Sequence, residues 1–245
     1  TRLQGDWSSD VCSSDLPVYG SDGGWLYMTV AEMVTEFERY LEQGMFGVKM
    51  KIGHDDPRVD IDRVRQVRKA LGDNTWIAVD ANQKWDYTTA MRVGRELEQL
   101  GVAWFEEPLS CEDIAGHARL ARDLDIPIAL GETLGSRFEF DAYLRADAAD
   151  ILQPDVIRVG GITETLRVST LADVAQKRVE LHHMMEVSIQ IACGVLTSGM
   201  IEYMPWVAAA FTESAVIEDG YMCPPQKAGL GLEIAEDILE RHRVA

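Results

Sequence analysis

Residues 48–80 read VKMKIGHDDPRVDIDRVRQVRKALGDNTWIAVD, and this stretch predicts a strand, a helix and a second strand. Residues 48–52, in which Val, Met and Ile alternate with lysines, form the first strand of this stretch. Pro57 opens a helix that runs to Leu71, since proline is favoured at the first helical position, and residues 76–79 form a short strand that ends at Asp80. Two strands joined by a helix predict a parallel pair with a right-handed crossover.

The same alternation continues on both sides of this unit. Amphipathic helices are predicted at 30–41 and near 88–100. Short apolar strands are predicted at 18–19, 102–105, 128–130, 151–152, 179–181 and 200–203. Eight strands separated by helices predict an α/β fold that closes into a TIM-type barrel. An open dinucleotide-binding sheet is the rival, but no GxGxxG follows the first strand.

Composition favours small-molecule chemistry. A chain of 245 residues that is 47% hydrophobic can form one large domain. Its formal net charge of -18, from 41 acidic and 23 basic residues, argues against a nucleic-acid or anionic-membrane partner. The four cysteines have no paired spacing and predict reduced thiols, and no apolar run is long enough for a membrane helix, so we expect a cytoplasmic protein.

The first 16 residues, TRLQGDWSSDVCSSDL, contain a tandem Ser-Ser-Asp repeat and have neither a helical nor a strand period. They resemble a translated sequencing adapter, so we expect a non-native or disordered leader at 1–16. The native sequence is then expected to start near Pro17 and to have begun further upstream in the intact protein. Residues 17–245 are expected to form the barrel and a C-terminal tail.

Three successive strands are followed by carboxylates at a constant interval. Asp80, Glu106 and Glu132 lie 26 residues apart, at or just after strand ends. Neighbouring parallel strands in a barrel end side by side, so these side chains should converge, and like charges that close require a cation. Hard oxygen ligands suit Mg2+. A single such residue would more simply be a helix cap or a solvated charge, but three in register favour a metal site.

The next three strands end in Asp155, His182 and Glu202. A carboxylate beside an imidazole fixes the tautomer of the ring and raises its basicity, so Asp155 and His182 predict a proton-transfer dyad. A purely structural His-Asp pair is the alternative. His183 is the alternative to His182 in this dyad. Adjacent strand residues face opposite sides, so only one of the two histidines can point into the barrel. The remaining histidines, His54, His117 and His242, are predicted to lie on the surface or in the tail.

Taken together, these motifs resemble the enolase superfamily, in its mandelate racemase subgroup, across residues 17–245. The resemblance is carried by VKMKIG at 48–53, VDANQ at 79–83, WFEEPL at 104–109, ALGET at 129–133 and QPDVIRVGGIT at 153–163. It implies a (β/α)7β barrel and Mg2+ as cofactor, held by Asp80, Glu106 and Glu132. The related muconate-cycloisomerase subgroup tends to carry Asp at the position of Glu132.

The resemblance also implies the catalytic groups. Lys51 would be a base on one face of the substrate and the His182-Asp155 dyad would act on the other, which selects His182 over His183. Glu202 would hydrogen-bond the substrate carboxylate. Lys49, two residues before Lys51, would lower the pKa of that base and attract the same carboxylate.

The implied reaction begins with removal of the proton beside a carboxylate, giving an enediolate. The forms DANQ and GGIT, with AGLGLEI at 228–234, resemble the acid-sugar dehydratases, so we expect an aldonate or aldarate to lose water and give a 2-keto-3-deoxy acid. A racemase, epimerase or cycloisomerase is the first alternative, and a non-catalytic barrel is the second.

Family members are similar in having an N-terminal α+β capping domain that selects the substrate, and this chain is expected to lack it. We therefore expect an apolar rim at the barrel mouth and weak or absent activity from the chain as it stands. The expected partners are a small carboxylate and, in the full-length form, further copies of the same chain.

Overall fold

The structure is a computed structural model that describes residues 15–243. Barrel strands alternate with helices in the order β1 Leu16–Gly20, α1 Val30–Glu42, β2 Gly47–Lys51, α2 Pro57–Leu71, β3 Trp76–Asp80, α3 Tyr87–Gln99, β4 Phe105–Glu106, α4 Ile114–Asp123, β5 Ile128–Leu130, α5 Arg137–Arg145, β6 Ile151–Leu152, α6 Ile162–Val174, β7 Arg178–Val179, α7 Met185–Ala192 and β8 Ile201–Tyr203. A hairpin and a helix follow, β9 Val216–Glu218, β10 Tyr221–Cys223 and α8 Glu236–His242.

The eight strands β1–β8 form a closed parallel barrel. From β1 to β6, each strand pairs with the strand that follows it in the chain. β1 also pairs with β8. The join between β7 and β8 is a single parallel bridge from Val179 to Ser198. The predicted TIM-type α/β barrel is therefore confirmed. The carboxyl ends of all eight strands lie at the same end of the barrel, which is called the mouth below.

The hairpin β9–β10 was not predicted from the sequence. β10 pairs antiparallel with β1, with Leu16 opposite Met222. The leader predicted at 1–16 lies outside the described residues as far as residue 14, and Leu16 is the first residue of β1. The hairpin thus lies beside the amino end of the first barrel strand, away from the mouth.

Helix boundaries follow local signals closely. Pro57 and Leu71 bound α2 as predicted, with Asp56 as N-cap accepting from the backbone N–H of Arg58. Strand β4 begins later than the predicted 102–105, because the Val102 N–H is still bonded to the Leu97 carbonyl at the end of α3. Only Phe105 and Glu106 then pair as strand.

Aromatic rings fill the barrel interior below the mouth. Trp104 packs edge to face against Tyr19 and Trp76, and all three ring centroids lie 4.7 to 5.4 Å apart, among the small side chains of Ala78 and Ala129. This packing fills the barrel below the mouth and excludes water from beneath the polar groups that lie above it. None of the helices within residues 15–243 has the length and apolar character that a membrane crossing requires.

Candidate functional site

Three carboxylates meet at the barrel mouth. Asp80 ends β3, Glu106 ends β4 and Glu132 lies two residues beyond β5. Parallel register places Asp80 beside Glu106 and Glu106 beside Ala129. One oxygen from each carboxylate lies within 4.8 Å of the other two, and Asp80 and Glu106 are fully buried. The structure therefore brings the three predicted metal ligands together.

The surroundings of this cluster fit a hard divalent cation. The pKa of Glu106 is raised to about 7, mainly by burial and also by the charge of Asp80, against the opposing effect of Lys49. One oxygen of Glu106, Oε2, accepts from Trp104 Nε1 at 3.0 Å and from Gln153 Nε2 at 2.8 Å, which fixes the carboxylate. Oxygen donors held rigidly at close range are the ligand set that Mg2+ prefers.

Lys51 flanks the cluster from β2. Its Nζ forms an ion pair with Asp80 Oδ2, and its backbone carbonyl accepts from Arg63 Nη1 at 3.1 Å. Burial lowers the pKa of Lys51, but the carboxylates of Asp80, Glu106 and Glu132 together outweigh burial and hold the pKa above its ordinary value. The ammonium is thus placed against the carboxylate cluster, where the sequence predicted a base.

Lys49 lies deeper than the sequence suggested. Its side chain is 1% exposed, and its Nζ lies 2.9 Å from Glu106 Oε1 and 2.8 Å from Glu202 Oε1. Alternate residues of a barrel strand occupy successive interior layers, so a residue two before Lys51 sits one layer below it. Lys49 was expected to attract the substrate carboxylate. In this structure its ammonium instead forms ion pairs with the carboxylates of Glu106 and Glu202.

His182 flanks the cluster from the end of β7. Its Nδ1 lies 2.9 Å from Asp155 Oδ2, and its Nε2 lies 3.2 Å from Glu132 Oε2. Asp155 also accepts from the N–H groups of Ile157 and Arg158, which fixes its carboxylate. Burial lowers the pKa of His182, but its hydrogen bond to the Asp155 carboxylate and the charges of Glu202 and Glu132 raise it to about 9. The predicted dyad is assembled, with Nε2 directed at the cluster.

Glu202 and His183 occupy the layer beside the dyad. Glu202 is 1% exposed, and its Oε2 accepts from the His183 N–H at 2.9 Å. Burial raises its pKa, but Lys49 and His182 outweigh burial and lower it overall. An ionised carboxylate only accepts hydrogen bonds, so the expected bond from Glu202 to a substrate carboxylate requires a proton on one of the two groups. His183 packs against Trp206, with ring centroids 5.3 Å apart.

Glu107 is part of the site, and sequence reasoning assigned it no role. This buried residue has a φ of +40°, and its carboxylate accepts from Gln83 Nε2 at 3.2 Å and from Thr133 Oγ1 at 3.0 Å. Burial raises its pKa to about 8. Gln83 follows Asp80 and Thr133 follows Glu132, so Glu107 links the three loops that carry the cluster. The doubled glutamate of WFEEPL was the available signal.

His117 was predicted on the surface, and that prediction was wrong. The ring is 1% exposed, and its Nδ1 lies 2.9 Å from the Asp113 carbonyl on helix α4. A single polar residue does not show from sequence whether its helix face is covered. His54 is partly exposed and pairs with the buried Asp60 at 2.6 Å.

Comparison with known proteins gives a consistent set of relatives. The family described as enolase C-terminal domain-like matches residues 32–238. L-talarate/galactarate dehydratase of Salmonella typhimurium (strain LT2) is 38% identical over 218 residues, covering 89% of this chain and 55% of the enzyme. The 3,6-anhydro-alpha-L-galactonate cycloisomerase of Streptomyces coelicolor is 32% identical, covering 92% of this chain and 63% of the enzyme.

A solved structure shows the same similarity in three dimensions. L-Talarate dehydratase from Polaromonas sp. JS666, complexed with Mg and L-glucarate, matches with a TM-score of 0.89 and 38% identity. The match covers 93% of this chain and 64% of that chain. The chain thus spans 55% to 64% of the lengths of these three relatives.

Proposed function

Because this chain belongs to the enolase superfamily, in its mandelate racemase subgroup, we propose that it removes the α-proton of an acid sugar in a Mg2+-dependent dehydration. The product would be a 2-keto-3-deoxy acid, formed by loss of the α-proton and the β-hydroxyl as water. The observation that supports this proposal is the meeting of three carboxylates between Lys51 and His182.

Asp80, Glu106 and Glu132 would hold the Mg2+. When bound, the ion would supply positive charge that stabilises the negative charge developing on the substrate carboxylate as its α-proton leaves. Lys49 would keep Glu106 in place from below, and Glu107 would keep the loops of the other two ligands in register with it.

Two groups would handle protons from the two sides of the cluster. Each group would act as a base in its neutral form. Lys51 Nζ would take the α-proton when that proton faces β2, and His182 Nε2 would take it when it faces β7. Asp155 accepts the Nδ1–H of His182, so the exchangeable proton is on Nε2. Protonated His182 would then donate its Nε2 proton to the departing hydroxide, which leaves as water. The enol that remains would lose its hydroxyl proton and take up a proton at carbon 3, giving the 2-keto-3-deoxy acid.

The substrate class rests on the relatives. One dehydratase is named for talarate and galactarate, and the Polaromonas structure was obtained with L-glucarate, so a six-carbon aldarate is the first candidate and aldonates are the second. The Streptomyces cycloisomerase, at 32% identity, favours an isomerisation from the same α-proton removal as the second candidate function.

The test uses Mg2+ and a panel of aldarates and aldonates in D2O, followed by proton NMR and by a colour assay for 2-keto acids. We expect a 2-keto product from at least one acid sugar. Lys51→Ala and His182→Asn should each lower turnover at least about 100-fold, the scale of a lost general base. Lys69→Ala, in the last turn of α2, and Lys177→Ala, just before β7, lie at the end of the barrel opposite the mouth and should retain full turnover.

Exchange of the α-proton without any keto product would favour the isomerase. If the wild type gave neither exchange nor product and bound no Mg2+, the catalytic proposal would be wrong and a non-catalytic barrel would remain.

A further inference from the structure

Two tryptophans stack beside the barrel mouth. Trp25 follows β1 and Trp206 follows β8, and their ring centroids lie 5.5 Å apart with the planes 22° from parallel. Both indole N–H groups donate to the same oxygen, Asp22 Oδ1, at 3.2 Å from Trp25 and 2.8 Å from Trp206. A single carboxylate oxygen therefore holds two rings that are far apart in the chain.

Barrel closure brings these rings together. Gly20 pairs with Tyr203 at the ends of β1 and β8, and the Ser21 N–H donates to the Tyr203 carbonyl at 3.2 Å. The loops that leave the two strands are thus neighbours from their first residue. Asp22 and Trp206 follow within three residues of that pairing.

The backbone of Trp25 is fixed against β2. Arg63 donates to the Trp25 carbonyl at 2.9 Å and to the Lys51 carbonyl at 3.1 Å. The Lys51 N–H donates to the Gly24 carbonyl at 2.7 Å, and a Cβ on Gly24 would lie 2.5 Å from the Lys49 carbonyl. Glycine is therefore required for this close approach, which sets the position of Trp25 relative to Lys51.

The stacked pair spans the mouth opposite the carboxylate cluster. The Trp25 ring centroid is 5.8 Å from Lys51 Nζ, and the Trp206 ring packs against His183, which adjoins His182. The cluster comes from β3, β4 and β5, whereas the tryptophans come from the β1 and β8 side. Trp206 is 57% exposed, although its ring is hydrogen-bonded and stacked. A large, partly exposed aromatic surface is thus held in place close to Lys51 and His183.

We propose that Trp25 and Trp206, oriented by Asp22, form a substrate-binding wall that packs against the C–H face of the acid-sugar chain. The C–H bonds of a polyhydroxy chain are polarised by the attached oxygens, and the indole face carries negative electrostatic potential, so the two surfaces attract each other. Rigid aromatic walls opposite a few polar groups are typical of small-molecule sites. The proposal rests on the proposed function, and it makes Trp206 a specificity-determining residue and Asp22 a positioning residue.

The test measures binding by calorimetry with Mg2+ alone and then with galactarate or L-glucarate in saturating Mg2+. We expect Trp206→Ala to weaken acid-sugar binding about tenfold, the scale of one lost aromatic contact, and to leave the Mg2+ Kd within about twofold. Trp206→Phe keeps a ring and should retain most of the affinity. Asp22→Ala should weaken acid-sugar binding as Trp206→Ala does, whereas Asp22→Asn keeps an acceptor and should restore it.

Phe46→Ala is the matched control, because Phe46 is an exposed aromatic residue just before β2, at the opposite end of the barrel. Its acid-sugar Kd should equal that of the wild type. If Trp206→Ala and Asp22→Ala also bound the acid sugar like the wild type, the wall would be wrong while the proposed function stood. If the wild type bound Mg2+ but neither acid sugar, the substrate class and the wall would both fail. A loss of affinity in every variant, Phe46→Ala included, would also overturn the wall, because it would reflect general destabilisation.

Discussion

Lys49 and Lys51 lie two residues apart on one strand, and their environments differ by one layer of the barrel interior. Lys51 lies at the level of Asp80, beside the open mouth, whereas Lys49 is enclosed between Glu106 and Glu202. An enclosed ion pair is costly to break because the remaining charge stays buried without a partner. At the residue scale, Lys49 therefore holds two buried carboxylates in place, and Lys51 lies where the proposed proton transfer would occur.

Lys49→Met should destabilise the fold by about 3 kcal/mol, because Glu106 and Glu202 would lose their shared counter-charge. Urea denaturation without metal measures this. Lys177→Met is the control, since Lys177 pairs with the largely exposed Asp147 and should change stability by less than about 1 kcal/mol. Equal effects of the two substitutions would show that the Lys49 ion pair contributes nothing particular to the fold.

Glu107→Ala should weaken Mg2+ binding at least about tenfold, because the loops that carry Asp80 and Glu132 would lose their common acceptor. Glu107→Gln retains an acceptor for Gln83 and Thr133 and should bind Mg2+ nearly as the wild type does. Calorimetric titration of both variants with Mg2+ checks this. Glu112→Ala is the control, because Glu112 is an exposed glutamate in the same loop, and it should bind Mg2+ as the wild type does. Wild-type affinity in Glu107→Ala would mean that the network does not position the ligands.

Helix α4 shows how an element can carry a pH dependence unrelated to the site. Its His117 packs against Tyr143 of α5, with ring centroids 5.6 Å apart, and Tyr143 donates to the Cys111 carbonyl at 2.7 Å. Burial lowers the pKa of His117, against smaller opposing effects of Asp113. The folded state therefore holds this ring neutral, while the unfolded chain binds a proton at the ordinary histidine pKa.

A histidine pKa that is lower in the folded state makes stability fall as the pH drops below about 6.5, because the unfolded state then takes up the proton first. We expect His117→Phe to reduce this loss between about pH 7 and pH 5. The measurement is the urea midpoint at several pH values. His242→Gln, at the exposed end of α8, should keep the wild-type dependence, and an identical slope in His117→Phe would contradict the assignment.

At the scale of the whole molecule, the barrel gathers opposing groups around one mouth. Carboxylates come from β3–β5, cationic or basic groups from β2 and β7, and the stacked tryptophans from β1 and β8. Large apolar side chains are also exposed in the segments that follow barrel strands, as expected for an apolar rim, namely Tyr27, Phe138, Ile157 and Trp206. The mouth therefore combines a charged centre with apolar margins.

Mg2+ should stabilise the whole fold, because a ligand that binds only the folded state adds to its free energy of unfolding. At a free concentration about 100 times the Kd the gain is about 2.7 kcal/mol. Thermal unfolding with and without Mg2+ measures it. Glu132→Gln should lose most of the gain and the exposed Glu213→Gln should retain it. A Tm that does not respond to Mg2+ in the wild type would count against the metal site.

Local signals in the sequence were enough for the repeating pattern and for the candidate ligands. Signals from nearby residues located α2, β2, β3 and β5 within a residue. These signals are the proline at the first position of α2 and the hydrophobic pattern of the three strands. The constant spacing of Asp80, Glu106 and Glu132 reflects the strand-helix repeat itself. Given parallel strands, their meeting followed from sequence because neighbouring strands end together.

Only the tertiary structure decided which layer each side chain occupies and which distant loops meet. Lys49 is buried because of the tilt and stacking of closed strands, and Glu107 links three loops through side chains 24 and 26 residues away. Trp25 and Trp206 stack because β1 pairs with β8, and the β9–β10 hairpin forms against β1 for the same reason of remote pairing. Such contacts join segments that are separate in the chain, so no local pattern of residues encodes them.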